Sequence, residues 1–176
     1  MINVKKYFIE ILIFILAGFP MENISSHPTD YETFADQVTN DFVKIAKKEF
    51  HLECMGTGGS MPNDIETFSI SFIAYRKATI DQARKLEIQL IEKFIEIINS
   101  HKDIRPYLRD YPFPVHRACV SVSFYTKKNQ FQNGNSICLI NQARNKLFYS
   151  ILESNTSPLK TTKEEPYLEA KELMEK

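Results

Sequence analysis

Cys54 and the glycines that follow it are the residues whose types and spacing come nearest to chemistry. In "HLECMGTGGSMPND" a thiol precedes Gly56, Gly58 and Gly59. A cysteine nucleophile needs a base, and the candidates are His51 nearby and His116 far along the chain. If the stretch is extended, His51 and Cys54 fall on opposite faces of the strand and do not pair directly; His116 reaches Cys54 only through the fold. A phosphate loop needs a lysine and a hydroxyl after its last glycine, and a dinucleotide loop needs G-x-G-x-x-G before a helix. "GTGGSM" has neither. The two-residue period instead puts Leu52, Cys54, Gly56 and Gly58 on one side of a strand. The expectation is structural: Cys54 is a small buried hydrophobe, and the missing side chains at Gly56 and Gly58 let a helix settle onto the backbone.

A second distinctive stretch is "DIRPYLRDYPFPVHR", Asp103 to Arg117. Pro106, Pro112 and Pro114 forbid a continuous helix or a central strand. The expected role is a stiff crossing that caps the core with Tyr107, Tyr111 and Phe113. Its functional reading is a binding edge in which Arg105, Arg109, Arg117 and His116 recognise a carboxylate or a peptide. His27, His51, His101 and His116 are isolated, with no H-x-x-x-H or C-x-x-C, so no metal site is assigned. No catalytic or cofactor-binding residue is assigned either, and no cofactor is expected.

Stepping outward to the elements that position these groups, "TDYETFADQVTNDFVKIAKKEF" carries Phe34, Val38, Phe42, Ala46 and Phe50 at four-residue spacing, the mark of an amphipathic helix with Thr29 and Glu32 as its capping pair. "TIDQARKLEIQLIEKFIEIINS" predicts a second helix from Thr79 to about Ser100, capped by Thr79 and Gln82, with a broad apolar side; Asp81, Lys85, Glu92 and Glu96 read as its solvated face. Alternation predicts strands in "IETFSISFIAYRK", "HRACVSVSFYTKK", "NSICLIN" and "KLFYSIL". Asn133-Gly134 reads as a hairpin turn and "NQARNK" as a second turn. A two-residue turn at Asn133-Gly134 would leave Cys119 and Cys138 out of register, so no disulfide is expected.

The fold class that results is α+β: an antiparallel sheet of about four to five strands with two long amphipathic helices packed on one face. Residues 1–26 read as a signal peptide or amino-terminal hydrophobic segment, 27–152 as a single domain, and 153–176 as a linker with a short helix beginning near Pro166. The leader reading rests on Lys5 and Lys6 ahead of the apolar run Tyr7 to Phe19, which is shorter than the roughly 20 residues that cross a bilayer and is interrupted by Glu10. Charge is balanced, 22 basic against 22 acidic residues, so no field draws the chain to nucleic acid.

The functional expectation is a small exported protein, periplasmic, secreted or envelope-associated, that acts without catalysis by binding or structural association. A protein or peptide is the partner its surface admits. Two alternatives stand beside it: a thiol-dependent enzyme using Cys54, and a peripheral membrane protein held by an uncleaved amino-terminal segment.

Overall fold

The computed structural model describes residues 30–127, 130–154 and 156–174. The leader and Thr29, and with them the first capping pair, lie outside the described residues. Helix α1, Asp30–Phe50, buries Val38, Phe42 and Ala46 completely. His51 then takes a left-handed φ of 56° and ends the helix, and the Leu52 N–H donates to the Ala46 carbonyl at 3.3 Å. Strand β1, Glu53–Ser60, runs antiparallel to β2, Thr67–Ala74.

Helix α2, Ile80–Ser100, begins with both halves of the expected capping box: Gln82 N–H donates to Thr79 Oγ1 at 3.2 Å, and Thr79 N–H to Gln82 Oε1 at 3.0 Å. This helix carries the chain back along the sheet, so β3, Ala118–Phe124, lies parallel to β2. Strands β4, Leu139–Ala143, and β5, Lys146–Ile151, form a tight hairpin whose central residues Arg144 and Asn145 have φ of 51° and 61°. Strand β6, Lys160–Pro166, and the short helix α3, Tyr167–Glu172, follow.

The fold is therefore α+β, but its sheet has six strands in the order β1-β2-β3-β4-β5-β6 and is mixed rather than antiparallel throughout. Two features produce the difference. The β2–α2–β3 connection is long enough to return the chain in the same direction, and "KTTKEEP", which resembles a linker in its polarity, pairs along β5. The hairpin expected at Asn133-Gly134 is also absent. Ser123 faces Leu139 across β3 and β4, so the two strands are joined by a long loop. Gly134, at φ 75°, donates its N–H to the Leu152 carbonyl at 2.9 Å and ties that loop to the end of β5. Cys54, Cys119 and Cys138 are all free thiols.

Four phenylalanines join the helices to one face of β2. Phe42 of α1 stacks on Phe94 of α2 with centroids 4.5 Å apart and meets Phe72 edge-on at 5.6 Å; Phe94 meets Phe68 edge-on at 5.5 Å. The other face of the sheet carries small polar groups, among them Ser71 and Ser121, whose hydroxyls bond at 2.9 Å.

The glycine expectation is overturned. A bulge between Cys54 and Gly56 resets the alternation of β1, so Gly56 and Gly58 pair with Ser71 and Ser69 on the face away from the helices. A Cβ at either position would meet nothing within 4 Å. Cys54 is exposed, not buried. The close approach is at Gly59, where a Cβ would clash with the Thr67 carbonyl oxygen and stand 3.2 Å from Met61 Cε. Gly59→Ala is therefore expected to lower stability by ~2 kcal/mol or more in chemical denaturation, with Gly56→Ala and Gly58→Ala close to wild type; equal effects at all three would contradict this packing.

Candidate functional site: the open edge at the first strand

Strand β1 is one edge of the sheet, and all its residues are exposed except Ser60, which is partly so. An edge presents unpaired backbone N–H and C=O groups, which proteins usually shield with charge, proline or a covering element. The opposite edge follows that rule. Strand β6 ends in Pro166 and carries Lys160, Lys163 and Glu164, tied to Glu153 at 3.0 Å, Glu165 at 2.8 Å and Lys146 at 3.1 Å respectively. Strand β1 has one charge, Glu53, and three glycines, and among the described residues its backbone pairs only with β2 and with Glu66 just before it. Between α1 and β1 lies a cleft of about 320 Å³, bounded by Glu32, Asp36 and Thr39 on the helix and by Thr57, Gly58 and Gly59 on the strand.

The groups singled out from sequence are placed differently. Cys54 faces Phe72 across β1 and β2, whereas His116 lies just before Ala118, which faces Phe68 on the other flank of β2. Four residues of strand and two strand spacings separate them, about 13 Å along the sheet and about 10 Å across it. His51 is exposed at the end of α1, where its positive φ turns the chain. No thiol–imidazole pair forms from these residues, and among the described residues no three His, Cys, Asp or Glu side chains gather as a metal site.

The arginines of the proline-rich stretch turn inward to partners of their own. Arg109 lies 2.8 Å from Asp64 and pairs with Glu66. Arg117 Nε donates to Asp110 at 2.6 Å, and Arg105 donates to the Asn99 carbonyl at 2.9 Å while its guanidinium covers the Tyr111 ring at 4.9 Å. Three cations thus meet three carboxylates, a ring and a carbonyl, which leaves little charge to recruit a ligand. The stretch does cap the core: Phe113 is buried against Phe68 at 5.5 Å, and its N–H donates to Asn99 Oδ1 at 2.7 Å. His116 is exposed.

Two polar clusters went unnoticed in the sequence. Arg84, on the buried side of α2, donates to Glu165 of β6 at 2.7 Å and to Asp81 at 2.5 Å, and the Tyr149 hydroxyl donates to the same Glu165. Burial alone would raise the Glu165 carboxyl, but Arg84, Lys163 and Tyr149 together hold it down at about 2. Its neighbour on α3, Tyr167, donates to Glu92, which also takes Lys171 at 2.9 Å, so the carboxyl terminus is fastened to α2. The second cluster is Glu87 of α2, wholly buried and without a side-chain partner, its carboxyl meeting only the Gln142 main chain, and Gln142 of β4, whose side-chain amide is unpartnered. A lone carboxylate in an apolar run of helix gives no periodic signal, which is why it escaped notice.

No protein-family model matches the chain, and no curated protein or solved structure matches it either.

Burial pushes the Glu87 carboxyl well above the ordinary carboxylate range, opposed only in part by the Gln142 main chain. A raised folded-state value means the contribution is fully present below the unfolded value and is lost as pH climbs toward the folded one. Wild-type melting temperature is therefore expected to fall between pH 5 and pH 9 relative to Glu87→Gln, whose advantage grows with pH. A difference between the two that is constant across this range would contradict the assignment.

Proposed function

We propose that this is a small exported or envelope-associated protein that works by association rather than by turnover, and that the β1 edge is where it associates. One observation carries the reading: among the described residues the two edges of one sheet are treated in opposite ways, β6 closed by charge and proline and β1 left bare over eight residues. A strand laid along β1 gains a row of main-chain hydrogen bonds, and the neighbouring cleft at α1 receives its alternate side chains, as in recognition by strand addition. The apolar run Tyr7 to Phe19 behind Lys5 and Lys6 supports export. Among the described residues no helix is long and apolar enough to cross a membrane.

The test is recovery of the protein from its native compartment. The reading expects an amino terminus between residues 20 and 30, a native mass above that of one chain, and slow hydrogen exchange at the amides of β1. A chain that retains Met1, runs at the mass of one copy and exchanges those amides as fast as an unstructured peptide contradicts it.

A further inference from the structure

We propose that the occupant of the β1 edge is a second copy of this chain, related by a two-fold axis that pairs β1 with β1 antiparallel and lays α1 beside α1. The inference rests on the strand-edge reading above and names its partner. Glu32, Asp36, Val43 and Lys47 recur on α1 at helical spacing and so share one face. Glu32 and Asp36 line the cleft, which places that face on the β1 side. The face is acidic in its first half and basic in its second. Two such helices side by side and antiparallel, crossing at Thr39 and Asn40, bring Glu32 of each copy opposite Lys47 of the other. A parallel arrangement would set like charges together.

The strand accommodates the same axis. Thr39 lines the cleft beside Thr57 and Gly58, so an axis through the middle of α1 passes β1 near Thr57. Thr57 then faces Thr57, a favourable cross-strand pair, and Gly56 faces Gly58 with no side chain in the way. The axis maps Gly56 to Gly58 onto itself, no charge lies there, and the bulge between Cys54 and Gly56 bounds it on one side. Spacing agrees as well. Strands lie about 4.8 Å apart, so a helix over the β1–β2 pair sits about 5 Å from the axis, and the two copies of α1 meet at about 10 Å, the ordinary helix-packing distance. The interface is isologous and closed, which gives a dimer and no fibre. With zero net charge, no long-range repulsion opposes it.

Sedimentation equilibrium of the protein purified from its native compartment, at low salt, is expected to give twice the chain mass. Lys47→Glu should weaken the dimer roughly tenfold by setting acid against Glu32, and Glu32→Lys in the same chain should restore it. All of these side chains are exposed, so unchanged far-ultraviolet spectra keep the variants interpretable; Thr57→Pro, which blocks the strand pairing, gives a second disruption by a different route. A monomeric wild type, or self-association indifferent to Lys47→Glu, overturns the proposal. If the wild type is monomeric but its β1 amides are protected in the native complex, the second-copy assignment fails and the strand-edge reading stands. A monomer with freely exchanging β1 amides removes both.

Discussion

The stacking of Phe42 on Phe94, with Phe68 and Phe72 meeting them edge-on, is the contact on which the rest of the molecule depends. It fixes both long helices to one face of β2, and β2 is the strand that joins the antiparallel ribbon at β1 to the parallel step at β3. Once α1 is held there by Phe42, its remaining faces are determined. One side lies against α2, and the other looks over β1 with Glu32 and Asp36 in the cleft. The open edge is thus a consequence of where the rings place the helix.

The two ends of the sheet illustrate how polar groups divide between structure and surface. At the β6 end, Arg84, Glu165 and Tyr149 form a buried, mutually satisfied group, which is the condition under which charge in an interior is tolerated. With the Glu165 carboxyl held down at about 2, the stability this group supplies is complete above the ordinary carboxylate range and is lost progressively as pH falls through that range toward about 2. At the β1 end no comparable group exists among the described residues, and the backbone itself is the polar feature. Glu87 and Gln142 are exceptions within the core, side chains without side-chain partners in a place where partners are the rule.

Much of the architecture was legible in the amino-acid sequence because its signals are periodic. The α2 capping box, the apolar stripe of α1 and the alternation in β2 and β3 each repeat often enough to be read locally. The direction of β3 and the presence of β6 were not legible, since parallel pairing depends on the length of a crossover and β6 is an exposed strand without alternation. Gly56 and Gly58 show the sharpest failure. A single bulge at Met55 moved them to the opposite face, and no local pattern announces a bulge. The arginines near Pro112 were legible as a cluster, but the carboxylate partners of Arg109, Asp64 and Glu66, come from a distant turn, so its neutralisation was not. The open edge at β1 escaped for the same reason: a strand is an edge only by virtue of what fails to pair with it.

The most direct measurement is interchain cross-linking at position 57. With Cys54 replaced by serine, Thr57→Cys should form a covalent dimer under mild oxidation, because facing residues of antiparallel strands lie about 5 Å apart at Cα, within disulfide reach. Thr162→Cys, on the guarded β6 edge, should not. Failure of position 57 to cross-link, or cross-linking at 162 to the same extent, would contradict the claim that β1 is the edge on which this protein assembles.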